Sequence, residues 1–253
     1  TPMFIKANVG LEQIAKLEAS LDEKIPETSL DVEPYDFQNF QRIQYKGLVF
    51  SYRDSSERPT FTVGPVDLQV QRGELLFLVG GNGSGKSTVL KLLTGLYKPD
   101  SGLIDIDGLA VDRTAVRDMR ELFSVIFGDF HLFDRLYGLE DVELSRVQAL
   151  IDRMELTDKV TFEDGKFSNL NLSTGQRKRL ALITSLLEDR PIYIFDEWAA
   201  DQDAHFRAIF YEEILQDLKA RGKTVIAVTH DDRFFHVADR VIQLDLGKVV
   251  VPV

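Results

Sequence analysis

"GELLFLVGGNGSGKSTVLKLLTGL", residues 73–96, decides the fold. Five apolar residues in a row, 75–79, predict a strand buried on both faces, because a half-exposed strand would alternate polar with apolar. A glycine-rich loop follows, then an apolar stretch at helical spacing. Gly80, Gly85, Lys86 and Ser87 fit G-x-x-x-x-G-K-[ST], the phosphate-loop (P-loop) pattern, and they do so between a strand and a helix. Glycines allow successive backbone N–H groups to converge on one anion, and the following helix turns its positive end toward the same place. The expected nucleotide-binding residues are therefore Gly80, Asn82, Gly83, Ser84, Gly85, Lys86, Ser87 and Thr88. Lys86 is expected to neutralise the β- and γ-phosphates of a nucleotide, and the Ser87 hydroxyl to ligate Mg²⁺.

Upstream, "RIQYKGLVFSY" and "TFTVGPVDLQV" alternate polar and apolar residues, as strands covered on one face do. Downstream, "SGLIDIDGLAV" reads as a hairpin turning at Asp107-Gly108. "LFSVIF", "PIYIFD" and "KTVIAVTH" are further short apolar runs separated by helical patterns, one of them spanning 139–158. The expected class is α/β: a parallel core sheet with an antiparallel β layer before it. Residues 1–36 differ, with Leu11, Ile14, Leu17 and Leu21 on one helical face and three Lys against eight Asp and Glu. They read as a helix followed by an acidic linker interrupted by Pro26 and Pro34, or as a disordered end.

A P-loop requires a second carboxylate for Mg²⁺ and a group to orient the attacking water. "IYIFDE", ending at Glu197, brings both to the carboxyl end of a buried strand, where parallel α/β sheets bind ligands. Asp196 is expected at the metal, directly or through water. Glu197, ionised at neutral pH, is expected to accept a hydrogen bond from the water.

Composition narrows the class further. With 30 Lys and Arg against 41 Asp and Glu, the net charge is −11, which disfavours broad attraction to nucleic acid or anionic lipid. Without cysteine there is no disulfide framework and no thiolate chemistry. No run of 18 apolar residues is present.

Between the two sites lies "LNLSTGQRKRLAL", residues 170–182, and beyond them "VTHDD". By itself Ser-Thr-Gly-Gln opening a helix is a plain N-cap. In the order P-loop, "LSTGQ", "IYIFDE", "VTHDD", the sequence resembles the nucleotide-binding domain of ABC transporters over residues 41–253. The resemblance implies a P-loop ABC ATPase domain at 37–253, with a helical subdomain near 130–188. It implies that Leu172, Ser173, Thr174, Gly175 and Gln176 form the signature motif that reaches ATP held by a second copy, that His230 bonds the γ-phosphate and holds Glu197, that Tyr52 stacks on adenine, and that Asp203 belongs to the loop crossing the dimer interface.

Three departures from the family pattern stand out. Thr174 replaces a glycine, and threonine would be strained if that backbone needed a positive φ. Gly128 occupies the place of a glutamine that contacts Mg²⁺ and water, leaving Asp129 as the nearest polar substitute. "AADQD" replaces the commoner Ser-Ala-Leu-Asp ending. Together with "LFSVIFGDFHLFDRLYG", whose aromatics Phe130, Phe133 and Tyr137 form a candidate docking surface, these features resemble the cyclic-peptide and siderophore exporters, including pyoverdine-type exporters of Gram-negative bacteria. That resemblance implies ATP and Mg²⁺ as cofactors, a homodimer, and a membrane domain N-terminal on the same polypeptide. It also implies a position on the cytoplasmic face of the inner membrane and no nucleic-acid partner. The first residue, Thr1, is expected to follow a cut just after the last membrane span. A soluble ABC-type ATPase and an ATP-binding regulatory module without turnover are the other readings.

Overall fold

The computed structural model describes residues 34–250; of the helix and linker expected at 1–36, all but the last three residues lie outside them. The two alternating segments form long antiparallel strands, β1 (Arg42–Arg53) and β2 (Pro59–Gln71), followed by the buried strand β3 (Leu75–Val79) and helix α1 (Lys86–Leu93). The hairpin β4 (Ser101–Ile106) and β5 (Leu109–Ala110) turns through Asp107 (φ 52°) and Gly108 (φ 92°), as its Asp-Gly pair predicts. Next come α2 (Ala115–Arg120), β6 (Phe123–Ile126), α3 (Leu144–Arg153) and the small hairpin β7 (Phe162–Glu163) and β8 (Lys166–Phe167). The chain continues through α4 (Thr174–Glu188), β9 (Ile192–Asp196), α5 (Ala204–Ala208), a π-helical turn (Ile209–Ile214) and α6 (Leu215–Ala220). It closes with β10 (Thr224–Val228), β11 (Arg240–Asp245) and β12 (Lys248–Val250).

Besides the β7-β8 hairpin, two larger sheets carry this order among the described residues. One is antiparallel, β2-β1-β4-β5; the other runs β12-β11-β3-β10-β9-β6, parallel except for the edge strand β12. The register of the parallel sheet positions the site. Val228 of β10 pairs with Leu78 of β3 on one side and with Asp196 of β9 on the other. Three carboxyl ends therefore line up, and the loops leaving them open on one edge of the sheet.

A continuous hydrophobic cluster, from Leu75 and Phe77 through Leu180, Phe195 and Trp198 to Phe210, Tyr211 and Phe234, holds the parallel sheet and its helices. β9 and β10 are buried at every residue, which explains why their sequences show no alternation. Side chains of the 130–188 stretch, including Val147, Ile151 and Leu186, join the same cluster. No helix among the described residues is long and apolar enough to cross a membrane.

The helical pattern at 139–158 yields a shorter helix than expected. α3 begins only after Glu143, which is extended (φ −61°, ψ 130°), and ends before Glu155, which is left-handed (φ 56°). Leu139 and Val142 still pack on the core, but from a turn closed by the Val142 N–H to the Leu139 carbonyl. Apolar spacing reported burial there, not helical hydrogen bonding.

Candidate active site

Beyond β3 the loop reaches α1, whose N-cap, Gly85, is left-handed with φ 97°. A side chain at this position would be strained by that φ, and its Cβ would lie 2.9 Å from Val63 Cγ2. Lys86 is buried, with Nζ donating to the carbonyls of Gly80 (2.9 Å) and Gly81 (3.0 Å) and 3.6 Å from Glu197 Oε1. An ammonium in such surroundings is partly desolvated and attracts an anion more strongly than one in water. Asn82, Gly83, Gly85, Lys86, Ser87, Thr88, Glu197 and Phe61 line a cavity of about 480 Å³. Ser84, in the same loop, has a buried hydroxyl without a partner.

Asp196 is the last residue of β9 and is buried. Burial pushes its carboxyl above the usual range and the charge of Glu197 adds to this, while the Ser87 hydroxyl, the Gly128 backbone N–H and Lys86 pull it down. Its Oδ1 has no hydrogen-bond partner. A buried carboxylate oxygen left unpaired beside a serine hydroxyl is costly by itself, and a divalent cation removes that cost. No cluster of three or more His, Cys, Asp or Glu able to hold a metal exists among the described residues. The unpaired Asp196 oxygen and the Ser87 hydroxyl beside that carboxyl are hard oxygen donors of the kind that fit Mg²⁺, which binds through one or two protein oxygens together with substrate phosphates and water. Asp129 is exposed, and the contact from its turn to Asp196 is made by the Gly128 N–H.

Glu197 follows in a left-handed conformation, φ 50° and ψ 36°. Its Oε1 lies 3.0 Å from His230 Nε2. His230 sits two residues past β10, and the register explains the meeting, since β9 and β10 end side by side. The preceding Thr229 is held by a 2.6 Å bond to the Tyr211 hydroxyl from the π-helical turn. The structure therefore brings Lys86, Ser87, Asp196, Glu197 and His230 to one place.

Tyr52 is partly exposed, with its hydroxyl 3.2 Å from Thr88 Oγ1. Opposite it across the β1–β2 ladder is Phe61, and directly opposed residues share a face. Phe61 was not singled out from the sequence. Its signal was there, in the register of two alternating strands around Tyr52.

Residues 172–176 lie elsewhere: none of them lines the P-loop cavity. Ser173 caps α4, accepting from the Gln176 N–H (3.3 Å), while the Gln176 side chain accepts from the Ser173 N–H (3.1 Å). This reciprocal pair is a capping box. Thr174 is the first residue of α4 and has no positive φ, so the strain that replacing glycine would bring does not arise. Gly175 is the glycine the packing needs, because a Cβ there would sit 2.5 Å from the Asp201 carbonyl oxygen.

That close approach belongs to a second layer of contacts behind Glu197, unforeseen from the sequence. Arg179 donates to Gln202 Oε1 (2.9 Å), Asp203 (2.7 Å) and Glu155 (3.2 Å), and lies 3.6 Å over the Phe206 ring. Gln202 Nε2 donates to the Gly175 carbonyl (3.1 Å). Asp203 caps α5 by accepting from Phe206, and that N–H, together with Arg179, holds its carboxyl below the usual range. Farther out, Phe133 and Tyr137 are exposed, whereas Phe130 packs against the core. Of the three aromatics expected on a docking surface, two remain available.

The profile of the family described as ABC transporter matches residues 63–200. The chain is 43% identical to the ATP-binding protein SyrD of Pseudomonas syringae pv. syringae, over 98% of this chain and 46% of SyrD. It thus spans about half the length of that relative. Its fold is similar to a bacterial Atm1-family ABC exporter with ATP bound (TM-score 0.73, 24% identity, 96% of this chain and 44% of that one). It is also similar to a dimeric ATP-binding cassette in a post-hydrolysis state bound to ADP and Pi (TM-score 0.65, 26% identity, 82% of this chain and 96% of that one).

Proposed function

The chain belongs to the ABC transporter family, as an ATPase domain, and from that premise we propose that it is the motor of a homodimeric exporter of peptides or siderophores. The observation that carries the reading is the meeting of Lys86 and Glu197 at the P-loop cavity of about 480 Å³, with His230 bonded to Glu197 and an unpaired Asp196 oxygen next to it in the chain.

In this reading the P-loop amides and Lys86 hold the β- and γ-phosphates. Ser87 and Asp196 hold Mg²⁺, which when bound spreads the negative charge of the phosphates. Glu197 accepts a hydrogen bond from a water, whose oxygen bonds to the γ-phosphorus as the bond to the β–γ bridging oxygen breaks. ADP and phosphate leave, and the water's proton is taken up by Glu197 or the phosphate. His230 keeps the Glu197 carboxylate aimed. Tyr52 and Phe61 flank the adenine.

A second copy supplies Ser173 and Gly175, which have no nucleotide to meet within one chain. The membrane domain, N-terminal on the same polypeptide, docks near Phe133 and Tyr137, with this domain on the cytoplasmic face of the inner membrane. The peptide or siderophore cargo rests on the resemblance of "FDEWAADQDAHFR" and "LFSVIFGDFHLFDRLYG" to that exporter branch.

ATP turnover by the wild type against Glu197→Gln tests the mechanism. The expected loss is at least about 100-fold with ATP binding kept. Equal turnover in both proteins overturns the role of Glu197, and no turnover at any protein concentration favours a binding module. Turnover rising with the square of protein concentration is expected of a dimeric site, and a strictly linear rise counts against one.

A further inference from the structure

Lys178 stands five residues beyond the N-cap of α4, yet it is buried. Lysine is almost never buried unless its charge is paired, so its partners define its role. The ammonium lies 2.7 Å from Asp201 Oδ2 and donates to the backbone carbonyl of Glu197 at 2.8 Å. The carbonyl of Lys178 accepts the Trp198 indole N–H at 3.0 Å. One residue of the signature helix therefore grips the loop after β9 at three successive points.

The first of those points is unusual. Glu197 is left-handed, a conformation that is unfavourable for a residue with a side chain and persists only where its surroundings fix it. The peptide that must be fixed is the one whose carbonyl Lys178 holds. On the other side of the same residue, the carboxylate lies 3.6 Å from Lys86 and 3.0 Å from His230. Return of Glu197 to the right-handed region would redirect its Cα–Cβ bond and carry the carboxylate away from the P-loop cavity.

We propose that Lys178 is a positioning residue for ATP hydrolysis, its ammonium locking the backbone of Glu197 so that the carboxylate stays aimed at the P-loop cavity. The inference rests on the ATPase reading above. It adds a specific link: because Lys178 and Ser173 share one helix, a ligand pressing on the signature segment at one nucleotide acts on the Glu197 that serves the other. An ion pair of purely structural purpose would need only Asp201; the bond to the Glu197 carbonyl is what gives Lys178 a part in the chemistry.

Steady-state turnover and ATP affinity of four proteins test this: wild type, Lys178→Met, the charge-neutral double variant Lys178→Met with Asp201→Asn, and Lys178→Met in a Glu197→Gln background. Displacement of a reacting group by about an ångström costs up to roughly 100-fold, so kcat for Lys178→Met is expected to fall roughly 10- to 100-fold with KM changed less than about threefold. The double variant, which leaves no carboxylate without its ammonium partner, is expected to keep that loss. In the Glu197→Gln background single-turnover rates are expected to change less than about threefold, since there is no carboxylate left to aim. Recovery of wild-type kcat by the double variant, or an equal fold loss in both backgrounds, overturns the proposal. A wild type without turnover overturns the ATPase reading instead.

Discussion

Two helix N-termini in this molecule meet opposite circumstances. α1 begins beneath a cavity, with a buried lysine, a buried serine hydroxyl without a partner and an unpaired carboxylate oxygen around it. α4 begins at the surface, with its own serine and glutamine closing the capping box. The first gathers within one chain the buried ammonium, hydroxyl and carboxylate that the proposed nucleotide and cation would need. The second is a finished structural feature, and in the proposed dimer it would meet a nucleotide only when another copy brings one to it. Unpaired buried polar atoms separate a site built to receive a ligand from a helix end that is merely capped.

The comparison can be broken most sharply by mixing. A chain carrying Lys86→Ala and a chain carrying Ser173→Asp are each expected to lose at least about 100-fold in ATP turnover. Mixed, they are expected to regain a quarter to a half of wild-type turnover, because one heterodimer site pairs an intact P-loop with an intact signature. No recovery at protein concentrations where wild type is active would mean that residues 172–176 do not serve a second copy.

Gly175→Ala probes why the signature segment needs its glycine. The added Cβ meets the Asp201 carbonyl at 2.5 Å, so stability is expected to fall by about 1–3 kcal/mol. Thr174→Gly, at an exposed position with no positive φ, is expected to change it by less than about 1 kcal/mol. Denaturant titration ranks the pair, and a larger loss at Thr174 would reverse the assignment.

On the P-loop side, Phe61→Ala is expected to weaken ATP binding by about 1–3 kcal/mol, the usual size of base–aromatic stacking, and to leave phosphate-only ligands such as pyrophosphate unaffected. Equal weakening of both would make Phe61 a packing residue. The smallest effect concerns Asp196. Its carboxyl is raised mainly by burial, so the folded state holds the proton more tightly than the unfolded chain, and the charged form costs stability above that raised value. Asp196→Asn is therefore expected to raise Tm in the absence of nucleotide at neutral pH by roughly 2–4 °C, about 1 kcal/mol in a chain of this size. It is expected to lose the further rise that Mg²⁺ and ATP give the wild type. Unchanged stabilisation by Mg²⁺ and ATP would remove Asp196 from the metal site.

Much of this was legible residue by residue. Local features, whose physics acts within a few positions, read correctly: the buried strand and P-loop, the Asp-Gly hairpin turn, the acidic end of β9. The helix at 139–158 was overread because Leu139 and Val142 reach the core from a turn, and apolar spacing alone cannot tell the two apart. Phe61 was missed because its meaning comes from a cross-strand partner nine positions away. Lys178 and Arg179 were missed because basic residues just inside a helix look like a solvated face until another loop is packed over them.

Short stretches of the chain supply the atoms available for chemistry: a glycine loop with its lysine, two adjacent carboxylates, a histidine two residues past a strand. Each is written in a few neighbouring residues, and glycine freedom, hydrophobicity and charge are properties of the residue itself. Which of them meet is set by strand register and packing. Parallel register aligned the ends of β3, β9 and β10 and so set His230 against Glu197. Packing of α4 against the loop after β9 put a buried ammonium on the Glu197 backbone. Those contacts join residues 19 and 33 positions apart, and their partners are fixed by burial of the sheet and helices around them.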